Sequence, residues 1–273
     1  LLWWADGYER EPAHTILWAI LWGGFVAIAI TLLATPANSS LFIAAVIEEA
    51  SKLLGLFWIF KRGSIHSATD ALVMGGFIGL GFTIFEDFTY SAGTENAIEI
   101  LIYRGIYSVF AHTLFSGIGA AIMFTLWKKL GSSGAILGFI ISYIIHFFWN
   151  LSLNFDLASF SLVMHFVVYA LWPPVILVVT CILVRRNEVA QIRKKSDLAL
   201  NQGLVTAEVI NQIIDRRARK SKQRGVWSLS KRNNYRRNLA FEARKILELN
   251  ESAINSPETE SYDSVLHEED PWN

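Results

Sequence analysis

Apolar stretches of about twenty residues recur along the chain at 15–34, 41–60, 71–90, 105–127, 134–153 and 161–184, each bounded by a short polar segment. At 1.5 Å rise per residue, each matches the ~30 Å hydrocarbon layer of a bilayer. Backbone groups in lipid must be paired within their own segment, so every stretch predicts a helix. The expected fold is all-α, a polytopic transmembrane bundle of six visible spans over residues 1–184, followed by a charged, partly helical tail over residues 185–273. Gly75 and Gly79, and likewise Gly134 and Gly138, lie four residues apart and predict faces where helices approach closely. Pro173 and Pro174 predict a kink in the sixth span.

The charges between the stretches set an orientation. Lys61 and Arg62 follow the second span, Lys128 and Lys129 the fourth, and Arg185 and Arg186 the sixth. Segments 35–40 and 154–160 carry no Lys or Arg, and 91–104 carries Glu95 and Glu99, with Arg104 at the edge of the next span. The positive-inside rule places the basic ends and the C-terminal tail in the cytoplasm. Residues 185–245 hold 17 Lys/Arg against 5 Asp/Glu, whereas 246–273 hold 8 Asp/Glu and no Lys/Arg, so the zero net charge hides a basic then acidic tail. The basic part reads as an anchor on anionic lipid. It contains no recognised nucleic-acid module, so nucleic acid is not an expected partner. Two tail helices are predicted. One starts at Thr206 as N-cap with Glu208 in its first turn, and the other carries a ragged stripe of Leu239, Phe241, Ile246, Leu247 and Leu249. The last residues, NSPETESYDSVLHEEDPWN, read as disordered.

Composition agrees with a membrane protein: 53% of residues are hydrophobic and 18% charged. The single cysteine, Cys181, excludes an intramolecular disulfide and a Cys-based zinc site. The chain begins at Leu1, so residues before it are expected, and the first stretch reads as a full crossing rather than a signal peptide.

Against this apolar background a few polar residues stand out. Counted from span ends, Glu48 and Glu49 lie about two helical turns below the outer surface, Glu86 about one, and His112 and His146 about two. Four helices thus deliver Glu and His to a shared depth. Lys52 lies one turn from the glutamates, Ser116 one turn from His112, and Asn150 one turn from His146. Ionisable groups in lipid are costly and are best buried together around a wet cavity. His165 has no such company and reads as packing, while Asp70, Asp87 and Arg104 sit near span ends, where water would solvate them.

Carboxylates in such a pocket can take a proton from water and pass it to a leaving amine, and His and Asn can donate to an oxyanion. Alternatively, a glutamate with His112 and His146 would bind zinc and leave a position for water. No H-E-x-x-H motif supports that second route. A proton-coupled transporter or channel, and a non-catalytic membrane scaffold, are the competing readings.

Four motifs resemble the PrsW family of bacterial intramembrane proteases, distant relatives of the CAAX-prenyl and bacteriocin-processing membrane enzymes. They are EEASK at Glu48–Lys52, the Gly-rich span ending in FTIFE at Glu86, R-x3-S-x3-H-x3-S-G from Arg104 through His112 and Ser116, and HFFWN at His146–Asn150. The resemblance covers about 40–185. It departs at Asp87, where the family commonly has Asn. It implies an intramembrane endopeptidase in a bacterial cell membrane, making a site-1-type cut toward the outer face of a single-span protein such as an anti-sigma factor. It implies Glu48 as general base, with Glu49 orienting it or positioning Lys52. His112 would hold the water, His146 and Asn150 would stabilise the oxyanion, and Glu86 would share a proton or bind metal. Lys52, Arg104 and Ser116 would support the site. Zinc and glutamate-only schemes fit these residues equally.

Overall fold

The computed structural model describes residues 2, 11–36, 39–62, 65–152, 170–215 and 229–249. All regular structure among them is helical. The first apolar stretch forms α1 (Ala13–Leu21), a π-helical turn (Trp22–Ala27) and α2 (Ile28–Ala34). Helix α3 (Leu41–Lys61) starts where the Ser40 hydroxyl accepts from the Ile43 N–H. Helix α4 (Ala68–Ser91) starts at a capping box, in which Asp70 N–H donates to Ser67 Oγ and Ser67 N–H donates back to Asp70 Oδ2, each at 3.0 Å. These bonds satisfy N–H groups that have no partner inside the helix. Asp70 is therefore a buried cap, not the water-solvated residue expected from its place near a span end.

Helices α5 (Ala97–Tyr107), α6 (Ala111–Leu130) and α7 (Ser132–Ser152) follow. The expected loop at 91–104 and the expected continuous span at 105–127 are both corrected here. Most of the loop is helix α5, and the chain bends by 42° between α5 and α6. Ser108 Oγ turns back to bond Arg104 O at 2.7 Å, and the α-helical ladder is interrupted over 108–110. His112 thus occupies the first turn of α6.

Among the described residues, three helical segments are long and apolar enough to cross a membrane: Ala13–Ala34, Ala68–Ser91 and Ser132–Ser152. The bent pair α5–α6 makes a fourth if counted as one span. Six spans are not all carried by these criteria. Helix α3 has the length but bears Glu48, Glu49 and Lys52 in its middle. The first half of the sixth stretch, with the 154–160 segment and His165, lies outside the described residues. Pro173 and Pro174 fall in the first turn of α8 (Trp172–Asn201), directly after the π-helical residues 170–171. The residues before 170, which a kink would join to α8, are likewise not described.

Helix α4 lies at the centre, packed against the first stretch, α3, α5, α6 and α8, while α7 covers α6 and α3. The glycines explain the closeness. A Cβ on Gly75 would fall 2.5 Å from Ser116 O, and one on Gly79 would fall 2.2 Å from His112 O. Gly138 sits in the same way against Gly119 O, and Gly134 against Leu126. The paired glycines are packing faces, and the α4 pair sets the height of His112. Gly79→Ala is expected to lower stability by about 1–3 kcal/mol, because two backbones must separate. Thermal unfolding in detergent checks this. Gly105→Ala, with nothing within 4 Å of the added carbon, is the matched control and should leave the transition in place.

Helix α8 runs without a break past Val184 into the tail. Its first half packs Leu177 and Cys181 into the core with Leu114, Phe115 and Trp149. Its second half joins α9 (Ala207–Ile214) and α10 (Leu229–Glu248) around Ile192, Ala199, Ile210, Ile213, Leu239 and Ile246. Thr206 is the N-cap of α9, as its spacing predicts. Phe241 departs from the expected stripe: it is exposed, and Ala243 takes its place inside. The tail end beyond 249 lies outside the described residues.

Glu188, one turn past Arg185, accepts from the Thr69 hydroxyl at 2.5 Å and so ties α8 to the start of α4. Burial pushes its carboxyl up to about 7, with the nearby Asp70 adding to the effect and Thr69 and Arg185 opposing it. Its folded value lies above the ordinary 4.5, so the folded form holds a proton that the unfolded chain releases. The contact is therefore strongest at low pH and loses stability as pH rises from about 4.5 to about 7. Hydrogen exchange at the α4 N-terminus should be faster at about pH 8 than at about pH 5 after correction for intrinsic rates, and Glu188→Gln should remove the difference.

Candidate active site

Helix α3 places Glu49 and Lys52 one turn apart, both fully buried. Lys52 Nζ donates to Glu49 Oε1 at 2.5 Å and to His112 Nδ1 at 2.9 Å, and lies 4.2 Å from the centre of the Phe82 ring. Glu49 Oε1 also accepts from His146 Nδ1 at 2.8 Å, and its Oε2 accepts from the Ser142 hydroxyl. An ammonium can only donate, so His112 Nδ1 must accept, and its Nε2–H is assigned as donor to Glu86 Oε2 at 3.2 Å. By the same reasoning His146 gives its Nδ1–H to Glu49 and turns Nε2 toward Glu48 Oε2, 3.6 Å away. The two imidazoles stand perpendicular with centres 4.8 Å apart.

The same Glu86 oxygen is held by Arg104, whose Nη2 donates to Oε2 at 2.7 Å. Arg104 Nε donates to Asp87 Oδ1 at 2.5 Å, and its guanidinium lies 4.1 Å from the Tyr90 ring. This corrects the expectation that Asp87 and Arg104 are solvated near span ends. They are locked to each other, and Asp87 is buried. Asp87 takes one arm of the arginine fork and Glu86 the other.

The structure brings Glu48, Glu49, Lys52, Glu86, Arg104, His112 and His146 into one connected group. Asn150 follows His146 by one turn on α7 and is half-buried. Ser116 is buried one turn beyond His112, and its hydroxyl has no hydrogen-bond partner among the described residues. The sequence reading missed Ser142, which is fully buried and donates to Glu49. Its signal was its place four residues before His146, on the same helical face. It also missed the wall supplied by the first stretch. A cleft of about 500 Å³ between α2, α3 and α4 reaches both Glu48 and Glu86.

The metal-capable set differs from expectation. Glu48, His112 and His146 offer donor atoms within 4.8 Å of one another, all buried. Glu48 replaces the expected Glu86, which is already occupied by Arg104 and His112 Nε2–H. The set fits a divalent cation in three respects. Glu48 Oε2 is buried with no hydrogen-bond partner among the described residues. His146 is oriented through its far nitrogen by a carboxylate, as metal-binding histidines usually are. Among the described residues, Glu48, Glu49, Glu86 and Asp87 face Lys52 and Arg104 as permanent cations, so the cluster has more carboxyl groups than cations, an imbalance that a metal or protons would offset. Both nitrogens of His112 have partners, so it would ligate only by releasing Lys52 or Glu86.

Residues 11–180 match the family model described as PrsW family intramembrane metalloprotease. No curated protein and no solved structure matches the chain. The family match covers more than half of the chain and spans every site residue from Glu48 to Asn150. A buried Glu/His cluster set among apolar helices has the groups to activate water for peptide hydrolysis, and this chain belongs to the PrsW family of intramembrane proteases.

Proposed function

We propose that this protein cuts a peptide bond of a single-span membrane protein near the outer face of a bacterial cell membrane, with Glu48 as the base that activates water. The observation that carries this reading is Glu48 itself, which lines the cleft and holds a buried Oε2 with no hydrogen-bond partner among the described residues, 3.6 Å from a fixed imidazole. Glu48 takes a proton from water as the water oxygen bonds to the scissile carbonyl carbon. The carbonyl electron pair moves onto its oxygen. Collapse then breaks the C–N bond, and Glu48 returns the proton to the leaving amine.

Since His146 donates at Nδ1, its neutral form offers an acceptor at Nε2. That suits holding the attacking water, rather than the oxyanion role expected from sequence. Asn150 is then the donor to the oxyanion. Glu49 fixes His146 and is balanced by Lys52, while Arg104 holds Glu86 against His112. A divalent ion on Glu48, His112 and His146 would supply carbonyl polarisation and an acidified water.

Residues 1–184 would form the protease domain, with α3, the bent α5–α6 pair and α8 completing six spans. Lys61 lies 6.0 Å from the Trp127 ring, and Glu188 meets Thr69, so the three basic sites gather at one end of the bundle. The site lies toward the other end. Under the positive-inside rule this supports a cytoplasmic tail and an outward site. An anti-sigma factor fits the substrate class implied by the family resemblance. A through-membrane proton path is disfavoured, because the polar chain gives way to Leu56, Met74, Ala120 and Met123 beyond Lys52. The test is mass spectrometry of new protein termini near single spans, in membranes from cells carrying the natural chain or Glu48→Gln. Termini present only with the natural chain support the reading, and identical termini overturn it.

A further inference from the structure

The first apolar stretch is zipped to α4 over its first half and diverges from α4 beyond Ile28, while Thr31 Oγ1 still meets Ser51 Oγ of α3 at 3.4 Å. Cβ atoms on Gly23 and Gly24 would fall 1.9 Å from Ile78 O and 2.3 Å from the Phe85 ring, and one on Gly81 would fall 2.1 Å from Ile20 O. Trp18 stacks on Trp58 at 4.4 Å, and Trp22 Nε1 donates to Ser51 O at 3.0 Å. This tight contact ends at the π-helical turn Trp22–Ala27. Such turns are rare and often sit at functional sites. Beyond it, α2 forms one wall of the cleft, with Ile28 and Leu32 as apolar surface and Thr31 and Thr35 as hydroxyls, facing Glu48 and Glu86. Two residues that line the cleft, Glu48 and Thr35, each hold a buried oxygen, Oε2 and Oγ1, that lacks a hydrogen-bond partner among the described residues. Buried polar atoms normally have partners, so a ligand that brings N–H groups is what this surface fits.

We propose that this cleft is the substrate groove, that it takes a short extended segment of a membrane-spanning chain free of acidic side chains, and that Thr35 is a positioning residue bonding the backbone of that segment. The proposal rests on the proteolytic reading and names where its substrate sits. The segment must be extended because a helix keeps its N–H and C=O groups bonded to each other. Only an unwound stretch can offer N–H groups to Thr35 and a carbonyl to the water at Glu48. Acidic side chains are excluded because they would meet Glu48 and Glu86 in a low-dielectric setting.

The test uses the full chain in proteoliposomes with Glu48→Gln, so that a bound probe is not consumed. The probe is a synthetic single-span Leu/Ala peptide with a Gly-Ala-Gly-Ala stretch near one end and Lys at both termini. A photo-crosslinking benzoylphenylalanine replaces Leu32 or, as control, its neighbour Leu33, which is 89% exposed and does not line the cleft. Crosslinking at position 32 should exceed that at 33 by about fivefold or more. Thr35→Val should reduce it by about fivefold, the effect of one hydrogen bond, while Thr35→Ser should retain it. Equal yields at 32 and 33, or equal yields for Thr35→Val and the parent, overturn the proposal. The two readings fail separately. Capture at 32 without cleavage by the natural chain keeps the groove and counts against proteolysis of this peptide class. Cleavage without preference for position 32 keeps proteolysis and removes the groove.

Discussion

Replacing Glu48 with Gln is expected to lower cleavage by roughly 10²–10⁴-fold, the range for loss of a general base, while leaving the folded protein as stable as its parent. The geometry separates the two effects. Glu48 Oε2 has no hydrogen bond to lose among the described residues, and it lies 3.6 Å from His146 Nε2. Gln keeps the shape and removes one negative charge from a pocket that already holds Glu49 and Glu86. Only the ability to accept a proton from water disappears. The measurement is the rate of appearance of the cleaved termini, alongside thermal unfolding in detergent. A variant that still cuts at more than a tenth of the parental rate would place the base elsewhere in the cluster, with Glu86 the next candidate.

Glu49 should behave in the opposite way. Glu49→Leu leaves the Lys52 ammonium buried, with His112 Nδ1 and the Phe82 ring beside it among the described residues. It also removes the acceptor of Ser142 and His146. Breaking one side of a buried ion pair costs about 3–5 kcal/mol, so the protein is expected to unfold well below its parental temperature and to lose activity as a consequence. Adding Lys52→Met should recover part of that stability, because the stranded charge is then gone, without recovering activity. Thermal unfolding of the two single variants and the double variant forms the cycle that measures this. Equal stability of Glu49→Leu and parent would mean that the Glu49–Lys52 pair contributes nothing net to the fold.

These contrasting roles for adjacent residues were only partly legible in the chain. Two glutamates in an apolar helix announce a site, because lipid makes each charge costly wherever it is not shared. Adjacent positions on a helix differ by about 100°, so one of the pair can face Lys52 and α7 while the other faces the cleft. Which does which depends on how α3 is rotated against α7, and α7 is about a hundred residues away in sequence.

The sequence by itself determined the all-helical class, the shared depth of Glu and His, the glycine faces on α4 and α7, and the cap at Thr206. Each of these is carried by spacing within one helix or by the cost of a residue type in lipid. Tertiary structure alone decided that Glu48 rather than Glu86 joins the two histidines, and that Ser142 completes the shell of Glu49. It also decided that Asp87 and Arg104 lock together, and that the first stretch parts from α4 to open a cleft. Those outcomes depend on helix rotation, on a bend at 108–110 and on a π turn at 22–27. These are set by side chains meeting across the bundle, where contacts between distant segments leave no period along the chain.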